Sequence, residues 1–414
     1  ACQAAAAAPW AAGRGMAAAA ASAVRWLAQQ PPLDGVLASL AAARYVQAAS
    51  KYVWGTPEVP PDTLLAVIIG FALSYLVVLS MFSKGRLGMW AFAYFFLSSD
   101  KKARKPDDAT PAISAPSCKR MKVVFIRHGQ SEWNAVFNEG SKLTLPLRLL
   151  RALASEALMF FEQDSLFMDS PLDEVGVAQA WDLMTFLASQ PTRTLENGAA
   201  SKPVKELEVP EIISIIRGDA GESVVASSIL RRAVSTGFIA LSPRFLKTSQ
   251  AKDKMQLVTA LQEISRNVDT LSLTPEKTVP VIPCGEANLK HMGDLMSHFY
   301  RTRFDKRHNT GNKTLKQKAK ERQDLFIKWM FEQGSHVDCV IVLGHSIWFR
   351  EFFKSFLPKA SRHVAKTNKM VNCGVVAFDF YKDSKNVHRI PQDSVKEIYG
   401  GFEDKGKKGK RKQA

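Results

Sequence analysis

Three short apolar runs, each stopping abruptly at a cluster of small and polar residues, constrain this chain more than any other feature. Residues 121–126 (MKVVFI), 223–228 (SVVASS) and 339–343 (CVIVL) have the length and β-branched content of buried strands. The first ends in Arg127-His128-Gly129-Gln130-Ser131-Glu132-Trp133-Asn134. The second runs into Ile229-Leu230-Arg231-Arg232-Ala233-Val234-Ser235-Thr236, and the third into Gly344-His345-Ser346. A strand that feeds a glycine-containing turn presents the next side chains at the carboxyl edge of a sheet, where α/β proteins bind ligands. A guanidinium beside an imidazole and a closely approachable glycine backbone suits a phosphate. Arginine pairs bidentately with phosphate oxygens, and a neutral histidine can attack phosphorus.

Taken together, these motifs resemble the histidine phosphatase superfamily, also called the phosphoglycerate mutase-like family. RHGQSEWN is similar to its mutase-type branch rather than to the acid phosphatase and phytase branch, where RHGxRxP is typical. Asp169-Ser170-Pro171-Leu172-Asp173, with Gly176 and Gln179-Ala180, resembles a further family segment that leads into a helix. It stands farther from the RHG than is usual, so residues 138–168 read as an insertion, helical over 145–161. The second run resembles the element whose arginine binds the phosphoryl group, and the register selects Arg232. Arg231 is left for a solvated face. Asn372-Cys373-Gly374 is similar to the segment that opens a later strand.

The resemblance covers about residues 120–390. It implies a three-layer αβα sandwich around a mostly parallel central sheet. It also implies a phosphohistidine on His128, with Arg127, Arg232 and His345 holding the phosphoryl oxygens. Gly129, Ser131 and Asn134 would line the pocket, with no metal and no cofactor. The family's general acid follows the third strand, which is read here at 254–264 (KMQLVTALQEI); Glu263 is favoured and Glu286 is the rival. Glycolytic mutases carry an E-R-H-Y-G run at that acid, and residues 263–269 (EISRNVD) depart from it. Phosphatase action on a phosphorylated small molecule or phosphoprotein is therefore expected, with mutase-type transfer as the alternative. A catalytically silent, membrane-tethered binding protein is the alternative of another class.

Outside that domain the chain is of a different kind. Leu64 to Phe82 (LLAVIIGFALSYLVVLSMF) carries no charge over 19 residues, enough to span a hydrocarbon core about 30 Å thick. Lys84, Arg86, Lys101, Lys102, Arg104 and Lys105 follow it, so the positive-inside rule places the bulk of the chain in the cytosol behind a single membrane pass. A second run, 87–97 (LGMWAFAYFFL), is too short to span alone; it reads as interfacial or re-entrant, with Trp90 and Tyr94 at headgroup depth, or else pairs with the first run in a helical hairpin, which would invert the topology. The expected organisation is an Ala-rich and targeting-like segment at 1–62, with Met16 as the start residue, and a membrane region at 63–97. A linker follows at 98–119, the catalytic domain at 120–395 and a basic tail at 396–414.

The formal net charge of +17 is concentrated in that tail and in residues 300–322, where nine Lys or Arg read chiefly as a solvated face. No basic-aromatic interleaving accompanies them, so nucleic acid is not expected as a partner. Five scattered cysteines without a CxxC pair suggest neither a disulfide framework nor a zinc knuckle, which makes a reducing compartment the default.

Overall fold

The computed structural model describes residues 65, 68–75, 78, 82–100, 118–159, 162–192, 207–250, 253–284, 293–334 and 337–404. The Ala-rich segment, part of the apolar run at 64–82, Glu286 and the tail from Lys405 lie outside them. The chain divides into two units, Ala1–Arg86 and Leu87–Ala414. In the first, the described residues between 65 and 78 are helical, and Leu65, Ile68, Ile69, Phe71, Leu73, Tyr75 and Val78 are exposed. No helix among the described residues is long and apolar enough to cross a membrane.

In the second unit the apolar runs become strands of one sheet: β1 (Lys119–Arg127), β2 (Ser223–Ser227), β3 (Met255–Leu257), β4 (Phe304–Asp305), β5 (Cys339–Gly344), β6 (Val375–Lys382), β7 (His388–Arg389) and β8 (Lys396–Tyr399). Their order is β4-β3-β2-β5-β1-β6-β7, with β8 also on β6. From β4 to β1 every pairing is parallel, and β6 pairs antiparallel with β1, β7 and β8. The parallel half carries the three motifs, so their strand ends all face one edge.

Side-chain alternation builds a core on each face. β1 sends Val124 and Ile126 to one core and Met121, Val123 and Phe125 to the other; β5 divides Cys339, Ile341 and Leu343 from Val340 and Val342 in the same way. Helices Glu174–Ser189, Val209–Ile216, Arg231–Ala240 and Gly293–Thr302 cover the first face. Ala319–Phe331 and Ser346–Phe356 cover the second. The result is the expected three-layer sandwich, with a mixed sheet.

Several sequence expectations need correction. The third strand is only Met255–Leu257, because a 3₁₀ turn at Thr259–Leu261 ends it early. The inserted helix stops at Leu158. The unit begins at Leu87 rather than near Met121, because helix Ser83–Leu97 packs Ala91 and Tyr94 against Leu271. Tyr94 is thus buried in protein, not placed at a lipid headgroup, while Phe92, Phe95, Phe96 and Leu97 stay exposed. Of the nine bases between 300 and 322, Arg303, Lys313 and Arg322 are buried rather than solvated.

Phe125 is the hinge of the second core, stacked on Phe349 with ring centroids 4.1 Å apart and edge-on to Phe378 at 4.8 Å. Phe125→Ala should cost about 3–5 kcal/mol in urea unfolding. A loss below about 1 kcal/mol would contradict this packing.

Candidate active site

β1 and β5 lie side by side with Arg127 opposite Gly344, and β2 flanks β5 with Ser227 opposite Leu343. The residues just past these pairs are therefore neighbours. The rings of His128 and His345 have centroids 5.0 Å apart, and both are buried. The His128 backbone N–H donates to Gly344 O at 3.0 Å, tying the two strand ends together.

The protonation of His128 follows from one contact. Its Nδ1 lies 2.5 Å from the carbonyl oxygen of Gly129, which can only accept, so Nδ1 carries the proton and Nε2 keeps its lone pair. Burial, then the charges of Arg232 and Arg127, hold the imidazole well below its usual range. Burial and the Arg232 charge do the same for His345. His345 Nε2 is 2.9 Å from Ser228 Oγ, and its ring precedes helix Ser346–Phe356 as the N-cap residue.

Two glycines permit the close backbone approach. A Cβ on Gly129 would stand 2.5 Å from the Gly176 carbonyl oxygen, and one on Gly176 would stand 2.0 Å from that of Gln130. The start of helix Glu174–Ser189 can therefore lie directly against the loop after β1. Asp173 caps it by accepting from Gly176 N at 2.7 Å, and also accepts from Gln130 Nε2 at 2.8 Å. Gly129 N donates to Thr236 Oγ1 at 3.0 Å.

The adjacent arginines have separate tasks. Arg232 donates to Asp269 O at 2.8 Å and pairs with its carboxylate at 3.3 Å. Arg231, expected on a solvated face, is instead almost wholly buried. It pairs with Asp164 at 2.5 Å and donates to Asp169 O at 3.1 Å and Ser165 O at 2.9 Å. It thereby fastens the end of the 138–168 insertion to the core. Removing it would strand buried carboxylates, a defect of roughly 3–5 kcal/mol.

Glu263 sits at the amino end of the helix that His345 caps. Its carboxylate accepts from Trp348 N at 2.9 Å, Ile347 N at 3.3 Å and its neighbour Ile264 N at 2.8 Å. Its charge acts on Arg127, Asp269 and Lys369. The structure therefore brings Arg127, His128, Arg232, Glu263 and His345 to one sheet edge. Ser131 is buried in a bridge to Leu172, and the Asn134 carboxamide accepts from Asn138 at 2.7 Å.

Sequence reasoning assigned no role to Ser228, Thr236, Asp269 or Lys369. Ser228 and Thr236 stood inside the second motif, and Asp269 inside the stretch compared with the mutases. Nothing in the sequence marked Lys369, whose charge reaches His128 through the fold. Burial pushes the Asp269 carboxyl up, Arg232 opposes this, and Glu263 reinforces it. Among the described residues, Arg127 Nε, His345 Nδ1 and Asp269 Oδ1 are buried without a hydrogen-bond partner. Unmatched polar atoms of this kind, gathered at one edge, are what a ligand would satisfy. No group of three or more His, Cys, Asp or Glu among the described residues is arranged to hold a metal ion.

No protein-family model and no curated protein matches the chain. Solved structures similar to it include a mycobacterial glucosyl-3-phosphoglycerate phosphatase with bound vanadate (VO3), at 12% identity and TM-score 0.32, over 66% of this chain and 97% of that one. A phosphoserine phosphatase from Entamoeba histolytica is similar at 14% identity and TM-score 0.28, over 62% and 90% of the two chains. A phosphoglycerate mutase from Bacillus anthracis is similar at 15% identity and TM-score 0.31, over 66% and 93%. Likenesses of this size carry no argument about activity.

Neutral, buried histidines give stability a pH dependence of known sign. The unfolded chain protonates them near pH 6.5 and the folded chain does not, so stability falls as pH drops through that value. Each contributes at most about 1.4 kcal/mol per pH unit. His345→Gln should therefore flatten the stability curve between about pH 6.5 and 5, read by urea unfolding at each pH. A slope equal to that of the parent would refute the assignment.

Proposed function

We propose that the chain hydrolyses phosphate monoesters through a phosphohistidine on His128. The observation that carries this reading is the unprotonated Nε2 of His128, fixed by the Gly129 contact and set beside Arg127, Arg232 and His345. Nε2 attacks phosphorus in line and the bond to the leaving oxygen breaks, with Glu263 supplying that oxygen's proton. Arg127, Arg232 and His345 neutralise charge on the equatorial oxygens, usually the largest catalytic term. Water then attacks phosphorus and gives its proton to the Glu263 carboxylate, and the P–N electron pair returns to Nε2.

Hydrolysis is favoured over mutase-type transfer because residues 263–269 lack the run that accompanies phosphoglycerate in the mutases. The test uses the full chain with aryl phosphates. The parent should release inorganic phosphate without added metal. His128→Ala should lose at least about a thousandfold, and Arg232→Ala roughly 10²–10³-fold. Hydrolysis surviving in His128→Ala would sink the mechanism. Transfer to a second substrate hydroxyl without phosphate release would favour the mutase.

We also read residues 64–82 as a single membrane anchor, with the catalytic unit on the cytosolic side. The uncharged run, the bases that follow it and the exposed apolar side chains of its described residues support this. The chain should stay with membranes through alkaline carbonate washing; release into the supernatant would exclude the anchor.

A further inference from the structure

The segment before β1 reaches the loop that carries Glu263. Helix Ser83–Leu97 ends in Ser98-Ser99-Asp100, and the Asp100 side chain is completely buried. One of its carboxylate oxygens is 2.8 Å from Lys313 Nζ, and the other accepts from Arg322 Nη2. Neither cation is spent on Asp100 alone. Lys313 Nζ also lies 2.6 Å from Glu263 O, 2.7 Å from Ser265 O and 3.1 Å from Thr270 Oγ1, so its three N–H groups are shared among four oxygens. Arg322 Nη1 donates to Gln262 O. The backbone carbonyls of residues 262, 263 and 265 are therefore held by one ammonium and one guanidinium group that both pair with Asp100. Ser99 N donates to Leu315 O at 2.9 Å and Arg266 donates to Ser98 O, closing the segment over the cluster.

We propose that Asp100 is a positioning residue for the catalytic acid: by pairing Lys313 and Arg322 it holds the 262–265 backbone so that the Glu263 carboxyl meets the leaving oxygen. This rests on the phosphatase reading and extends it to a residue outside the segment that resembles the family. The physical need is plain. Two buried cations without a carboxylate are untenable, and a buried ion network tolerates no missing member. Burial already pushes the Lys313 ammonium down to about 8 with Asp100 in place. Without Asp100 it would shed its proton more readily and lose a donor, so the carbonyls beside Glu263 would lose a restraint. Asp100 touches no substrate; its effect passes through Glu263.

Leaving-group dependence separates positioning from mere folding. An aryl phosphate such as 4-nitrophenyl phosphate leaves without a proton, whereas glycerol phosphate needs one. The ratio of their kcat/KM values does not depend on how much of a sample is folded. In the full chain, Asp100→Asn should lower kcat/KM for glycerol phosphate relative to 4-nitrophenyl phosphate by about 10- to 100-fold. Asp100→Glu should recover part of that ratio. Arg266→Ala leaves the buried ions intact and should shift the ratio the same way by a smaller factor, which keeps the test open if Asp100→Asn does not fold. A hydrolysing parent with an unchanged ratio in the folded variants would overturn the positioning role alone. A parent that hydrolyses neither ester would overturn the phosphatase reading and the positioning role with it.

Discussion

The parallel pairing of β1 with β5 is the contact on which the site depends. It sets Arg127 opposite Gly344, so the next residue on each strand is a histidine, and it closes with His128 N donating to Gly344 O. A shift of one residue in this register would turn every side chain of β1 to the other face, exchanging Phe125 with Ile126 between the two cores. The aromatic cluster around Phe125 opposes such a slip, because Phe349 and Phe378 leave room for a ring only on their side. Core packing and site geometry are thus one specification.

Cations at the edge are buried and held in place by backbone carbonyls and single carboxylates. Arg232 leans on Asp269, Arg127 on Glu403 and Met370 O, and Lys313 with Arg322 on Asp100. The two imidazoles respond by staying neutral. Positive groups already desolvated need little reorganisation when an anion arrives, the condition under which fixed charges contribute most to a reaction. The same groups would be costly to hold if their partners were lost.

Much of this is legible in the sequence alone. Strand ends bearing RHG, RRA and GHS are local signals, and the residues that chemistry demanded at those ends are the ones the fold gathers. What escaped were contacts between distant segments. Arg231 and Arg232 are adjacent and chemically alike, and only the position of Asp164, on the far side of an insertion, shows that one is structural. Lys313 and Arg322 lay within a run of bases whose natural reading is a solvated face, because their partner lies more than 200 residues away, as the Lys313–Asp100 separation of 213 shows. The apolar pattern of 87–97 could not distinguish lipid from protein as the surface Tyr94 meets. A period of buried residues reports that something covers a face, not what covers it.

That separation of 213 residues also has a temporal side. A ribosome adding roughly 5–20 residues per second delivers Asp100 about 10–40 s before Lys313 exists. Until they have been made, Tyr94 lacks Leu271, and Asp100 lacks Lys313 and Arg322, as partners. The last-made third of the domain therefore completes the contacts that fix the first-made piece.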